Sequence, residues 1–294
     1  MSEKKFKVVI LTHGNAGRLL EHLSELKSVE VAGVFVETAA SPKRGLRQKI
    51  KRSIRYDGFT STMTKFAAKL LGGGTKGSEE MEDIRENQKK LSEHAERLGV
   101  PIYRVENYHS DTTIELLKEM DADLGILDGT NIIKESVFNI FRHGSINLHQ
   151  GLAPLYRGGP TVFWELFNDE KEVGITIHFV AAKVDTGDIV VQKTLPLNYN
   201  FRRYGLDFEN FLAEYRASLR EPSLEMLVEA VRSISTGTET RTLQDTSQGT
   251  RYRLPVRKEK NELLRRLRKR LKAFKAQDIE NREGSEINGN FGQL

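Results

Sequence analysis

Cysteine is absent from all 294 residues, which excludes disulfides, thiolate nucleophiles and Cys-ligated metals. That absence fits a reducing compartment, and a cytoplasmic location is the expectation. No apolar run approaches the ~20 residues that a membrane-spanning helix needs. Near the start, Lys4, Lys5 and Lys7 precede only the four apolar residues 8–11, too few for a signal-peptide core, so a first strand is expected there. Internal repeats are lacking, as are a His-Glu-x-x-His metal motif and a nucleophile elbow, and no metal is expected. Hydrophobic residues make up 38% of the chain, modest but enough for a sizeable core.

What is present is unevenly placed. The formal net charge is +5, and residues 257–275 alone carry ten Lys/Arg against two Glu. The rest of the chain is therefore slightly acidic, and the basic character belongs to one C-terminal segment. That segment has Leu263, Leu264, Leu267, Leu271 and Phe274 at helical spacing, which predicts a helix packed on the body or on a second copy in a homodimer. Contact with RNA is the less favoured reading of its charge.

Residues 6–11, a turn, a helix to residue 26 and a strand over 29–36 form a β-loop-α-β opening of a parallel, doubly wound α/β sheet. The loop carries Gly14, Asn15, Gly17 and Arg18. Free N–H groups at a helix start attract anions, so these residues are candidates for an acceptor's phosphate. An ordinary tight β–α turn explains the loop equally well. Gly14, Gly17 and Glu37 also supply part of a dinucleotide fingerprint, but Thr12 occupies the first glycine position. A nucleotide-dependent oxidoreductase is thus a distant alternative.

Residues 41–76 have the look of a basic, helical insert ended by Gly72-Gly73-Gly74. Further helices are expected over 79–98, 111–120 and 161–168, and strands over 101–105 and 122–127. Strands over 173–179 and 189–197 read as an antiparallel pair. Residues 204–235 are largely helical with a break at Pro222, and residues 276–294 read as a disordered tail.

The densest signal lies between Gly144 and Gln192. Asn147 and His149 are two apart on a strand, so both side chains emerge on one face, next to an irregular run that cannot continue the strand. In open α/β sheets that carboxyl edge is where ligands bind. Then come Leu152-Ala153-Pro154-Leu155-Tyr156-Arg157-Gly158 and, later, Asp185-Thr186-Gly187-Asp188. An Asn-x-His, a Leu-x-Pro-x-Tyr-Arg-Gly loop and an Asp-Thr-Gly-Asp turn, in this order, resemble the folate-dependent formyltransferase family over roughly residues 1–200. The family's usual His-Pro-Ser-Leu-Leu-Pro stands here as His149-Gln150-Gly151-Leu152-Ala153-Pro154.

The resemblance implies a Rossmann-like catalytic domain over 1–200, and the residue pattern beyond it predicts a mainly helical, basic extension over 201–275. It implies 10-formyltetrahydrofolate as formyl donor and Asn147, His149 and Asp185 as the catalytic triad. It also implies that Thr130, Asn131, Ile133, Val180, Val184 and Asp185 hold the folate, largely through backbone groups. Tyr156, Arg157 and Gly158 join residues 14–18 as candidates for the acceptor. The expected reaction passes a formyl group to a primary amine through a tetrahedral oxyanion. The helical ending favours a small phosphorylated or nucleotide-linked acceptor, such as an amino sugar. Methionyl-tRNA, hydrolysis to formate, and a silent folate-binding scaffold are the alternatives.

Overall fold

Strand β1 (Phe6–Thr12) shows why the sheet is covered on both sides. Val8 and Ile10 are fully buried in one hydrophobic cluster, and the intervening Val9 and Leu11 are fully buried in another. A strand without a polar face belongs in the middle of a doubly wound sheet. The computed structural model describes residues 4–38 and 75–290. The helical insert expected over 41–76 lies outside the described residues, except for its last two, which begin a helix.

Strands β2 (Val29–Glu37), β3 (Ile102–Val105), β4 (Leu124–Asp128) and β5 (Ser145–His149) run parallel to β1. Strands β7 (Glu172–Phe179) and β8 (Ile189–Pro196) close the sheet antiparallel, giving the order β3-β2-β1-β4-β5-β7-β8. Two short strands, β6 (Tyr156–Gly158) and β9 (Thr250–Tyr252), pair separately and in parallel. The doubly wound α/β class read from the sequence is what the chain adopts.

Helices α1 (Gly17–Ser24) and α2 (Thr75–Leu98) cover one face, and α3 (Asp111–Glu119) and α4 (Glu135–Phe138) cover the other. Short α5 (Phe163–Phe167) follows β6. The C-terminal region is helical, as expected: α6 (Phe201–Tyr204), α7 (Phe208–Ser218), α8 (Arg220–Thr236) and α9 (Arg257–Asn290). Leu224, Leu227 and Val231 of α8 and Leu263 and Leu267 of α9 join the same cluster as Val173, Ile175 and Ile177 of β7.

Two expectations are corrected. The break among these helices falls at Leu219, not at Pro222, which sits in the first turn of α8, where a missing N–H costs nothing. The backbone helix also continues past residue 276 to Asn290. No proline interrupts residues 257–290, so nothing in the backbone forbids the continuation.

Leu227 is fully buried between α8 and the sheet. Leu227→Ala is expected to lower unfolding free energy by about 2–5 kcal/mol, measured as a shifted urea midpoint with an unchanged slope.

Candidate active site

The pairing of β5 with β7 puts four polar side chains side by side. Asn147 lies opposite His178, and His149 opposite Thr176. Alternation directs all four to one face of the sheet edge. Thr176 is fully buried, donates to the Gly151 carbonyl at 2.7 Å and accepts from Gln192 at 2.8 Å, which pins the loop after β5. Gly151 must be glycine for close approach. A Cβ there would stand 2.4 Å from His149 Nε2 and 2.7 Å from the Tyr156 carbonyl oxygen.

The turn between β7 and β8 brings in Asp185, held at φ +52°, a left-handed geometry that Asp tolerates better than most residues. Its Oδ2 accepts from the Gly158 N–H at 2.8 Å and lies 3.5 Å from His149 Nδ1. Its Oδ1 lies 3.4 Å from His178 Nε2, which in turn is 3.3 Å from Asn147 Nδ2. Asn147, His149 and Asp185 are thus brought together, along with His178, which the sequence analysis did not single out.

The hydrogen bonds fix the tautomers. His149 Nε2 faces the Tyr156 carbonyl at 2.7 Å and must donate to it, so the neutral ring turns the lone pair of Nδ1 toward Asp185. His178 Nδ1 donates to the Phe179 carbonyl at 2.7 Å, so its Nε2 lone pair also faces Asp185 and accepts from the Asn147 amide. With both rings neutral, two lone pairs would face the carboxylate, so a hydrogen bond from either ring to Asp185 requires an added proton on the facing nitrogen. Burial disfavours the His149 imidazolium, against the Asp185 charge and the Tyr156 carbonyl that favour it, and its pKa falls below the ordinary value. Burial works to raise the Asp185 carboxyl. The His178 hydrogen bond, the His149 charge and the Gly158 N–H outweigh it and hold the carboxyl down to about 2.

Two cavities flank this cluster. A cleft of about 580 Å³ is walled by residues 130–133 on one side and 180–185 on the other, with Asn147, His178 and Asp185 facing it. Thr130, Asn131, Ile133, Val180 and Val184 all line it. A second cavity of about 170 Å³ is lined by His149, Gly158, Tyr156, Arg157, Trp164 and Glu165, among others. His149 therefore lines the second cavity, and Asp185 lines the first while contacting His149 and Gly158 of the second.

The remaining candidates are placed differently. The Arg157 guanidinium donates to the carbonyls of Pro154 and Thr246 at 3.2 Å each, and the Tyr156 hydroxyl donates to Glu170 at 2.7 Å. Gly14, Asn15, Gly17 and Arg18 line neither cavity. Arg220 at the start of α8 donates to the Asn15 carbonyl at 2.8 Å while gripping Asp128 with both terminal nitrogens, at 2.7 and 2.6 Å. Arg18 pairs with Glu221 at 2.9 Å. Among the described residues no group of three His, Asp or Glu has the arrangement to hold a metal, and no helix is long and apolar enough to cross a membrane.

The fold and the Asn-His-Asp edge define a class: doubly wound α/β proteins with a cluster of polar and titratable side chains at the carboxyl end of the sheet. Residues 6–201 match the formyl transferase family, and the chain belongs to that family. The chain is 31% identical over 157 residues to a methionyl-tRNA formyltransferase of Macrococcus caseolyticus, covering 53% of this chain and 48% of the relative. It is 34% identical over 107 residues to that of Parabacteroides distasonis, covering 36% and 33%. The chain spans about half the length, or less, of these curated relatives. Among solved structures, glycinamide ribonucleotide transformylase 1 of Symbiobacterium toebii superposes with a TM-score of 0.53 at 18% identity, over 83% of this chain and 96% of that one. A 4-N formyltransferase of Francisella tularensis gives 0.52 at 16% identity, over 85% and 77%. These likenesses are of fold.

The Asp185 carboxyl ionises more readily in the folded chain than in the unfolded one. It therefore stabilises the fold above about pH 4, and that contribution of about 2 kcal/mol is lost as pH falls toward 2. Asp185→Asn is expected to flatten the acid limb of a plot of urea midpoint against pH.

Proposed function

We propose that this chain transfers a formyl group from 10-formyltetrahydrofolate to a primary amine on a small, phosphorylated or nucleotide-linked acceptor. The observation that carries the reading is the position of Asp185: it lines the cleft with Asn147 and His178 and contacts His149 and Gly158, which line the second cavity. A transfer reaction needs two partners to meet at one proton-handling group, and this geometry offers one approach from each side.

The cleft suits a flat heterocycle. Leu127, Ile133, Val180 and Val184 give apolar walls, and the backbone of residues 130–133 presents polar edges. When bound, the folate supplies the formyl carbon as an amide. Asn147 Nδ2 has two hydrogens. One is directed to His178, and the other is available to the carbonyl oxygen as it gains charge. The proton shed by the attacking amine has a destination between Asp185 and the facing imidazole nitrogens. The Gly158 N–H and the Tyr156 carbonyl hold those groups in register. No covalent intermediate on the protein is required.

A methionyl-tRNA acceptor is the second reading. It is supported by the names of the sequence relatives and by the exposed Arg268, Lys269, Lys272 and Lys275 on α9, a surface suited to a polyanion.

The test is tetrahydrofolate production from 10-formyltetrahydrofolate with nucleotide-linked amino sugars, glycinamide ribonucleotide and charged initiator tRNA as separate acceptors. Turnover with one acceptor identifies it, and formate release without any amine marks a hydrolase. Asn147→Ala is expected to slow transfer about 10²–10³-fold while folate affinity changes less than about twofold. Unaltered transfer in that variant, or failure of the protein to bind the folate, overturns the reading.

A further inference from the structure

Helix α5 reads Phe163-Trp164-Glu165-Leu166-Phe167, a single carboxylate in an otherwise apolar turn. Glu165 is only 2% exposed, and its Oε1 has no hydrogen-bond partner among the described residues. A buried carboxylate oxygen without a partner is costly, and such atoms in native proteins call for an explanation.

Glu165 is one of the residues lining the second cavity, together with His149 and Gly158, which contact Asp185 on that side. Its potential protein partners are committed elsewhere. Arg216 of α7 donates to the Thr161 carbonyl at 2.9 Å, and Tyr215 to the Pro196 carbonyl at 2.6 Å. Glu170, in the turn beyond α5, accepts from Tyr156 at 2.7 Å, and Arg157 across the cavity is held by two backbone carbonyls. Burial pushes the Glu165 carboxyl up to about 7, against the backbone N–H groups of Glu165 and Val162 and the Arg216 charge.

We propose that Glu165 receives the ammonium group of the acceptor in this cavity and takes its first proton, a role that rests on the formyl-transfer reading of the adjoining site. The enclosed space has room for little more than one water-sized group, so it admits an ammonium end and leaves the body of the acceptor outside. The rings of Trp164 and Tyr252, stacked with centroids 5.0 Å apart, form an aromatic part of its wall, and aromatic surfaces favour cations.

An alkyl amine is protonated at neutral pH and cannot attack a carbonyl until it loses a proton. Glu165 accepts that proton, leaving a neutral amine. The new bond joins the amine nitrogen to the formyl carbon, and the bond from that carbon to the folate nitrogen breaks. The second proton of the amine passes by way of Asp185 to the folate nitrogen as it leaves. Glu165 returns its proton to solvent. The net change is one ammonium and one formyl-folate converted to one formamide, one tetrahydrofolate and one proton.

The experiment labels glutamate δ-carbons with carbon-13 and assigns the Glu165 resonance by its loss in Glu165→Gln. Methylammonium chloride is the probe, with sodium chloride at equal ionic strength as control. Methylammonium is expected to lower the titration midpoint of that resonance by about one unit or more, and sodium chloride to leave it in place. In turnover with 10-formyltetrahydrofolate and methylamine, Glu165→Gln is expected to lose about 10²-fold in kcat/KM at neutral pH. The loss should shrink as rising pH deprotonates the amine in solution, and folate affinity should be unchanged. A resonance indifferent to methylammonium, or a wild-type pH profile in Glu165→Gln, overturns the assignment. Failure of the unaltered protein to bind folate removes the formyl-transfer reading instead, and the carbon-13 titration still decides whether Glu165 takes an ammonium.

Discussion

The Asp185 carboxylate is the point on which the site depends. One oxygen accepts the Gly158 N–H and approaches His149, and the other approaches His178. A single ionised group thereby ties the β7–β8 turn to β5, to β6 and to the neighbouring strand β7. Each tie is charge-assisted and shielded from water, where electrostatic contacts are strongest. Remove the charge and the turn loses its anchor to β6, and the two imidazoles lose the group that orients them. The left-handed backbone at Asp185 is tolerated because this many contacts fix the side chain.

The C-terminal helices support that centre from behind. Arg266 of α9 donates to the Phe167 carbonyl at 2.6 Å, at the carboxyl end of α5, and its guanidinium lies 4.2 Å from the centroid of the Phe167 ring. Arg270 pairs with Asp169 at 2.8 Å, just beyond the same helix. A cation at a helix carboxyl end completes orphan carbonyls and opposes the macrodipole. A five-residue helix has little stability of its own, so α5 keeps its place through α9, through the Trp164 N–H to the Arg253 carbonyl at 2.9 Å, and through its buried aromatic rings. Part of the basic charge that looks like a nucleic-acid footprint in the sequence is therefore used inside the molecule. Arg220 acts likewise at the other end of the sheet. Its bidentate grip on Asp128 and its bond to Asn15 cover the crevice between β1 and β4 where the strand order reverses.

What the sequence disclosed follows from what is local. The period-two pair Asn147 and His149, the glycine-rich turn carrying Asp185 and the apolar strands are all set within a few residues, and each takes its expected place in the sheet. His178 escaped because its meaning lies in register. In an apolar run ending at Phe179 it reads as a core strand residue, and only the antiparallel pairing with β5 puts it against Asn147. Arg157 was legible as a cation but not as one whose donors are taken by Pro154 and Thr246, the latter 89 residues away. Glu165 did leave a local trace, since a lone carboxylate among Phe163, Trp164, Leu166 and Phe167 has no polar face to occupy. The helix past residue 276 was not legible, because a polar stretch containing Gly284 and Gly289 and lacking a periodic apolar face carries no local helix signature.

Asp185 and Glu165 also explain each other. Both are buried carboxyls, Asp185 in contact with His149 and Glu165 lining a cavity with it, yet one is held down to about 2 and the other pushed up to about 7. The difference is one of partners. Asp185 is surrounded by donors directed at its charged form, so burial does not neutralise it. Glu165 meets burial with only backbone N–H groups and a distant arginine, so its charged form stays expensive until a cation arrives. Two acids with separated ionisation in one site divide the labour, one remaining charged throughout and the other changing charge near neutrality. An amine that must shed two protons in sequence needs such a pair. A site with two strong acids would hold the ammonium without deprotonating it, and one with two neutral acids would not attract it.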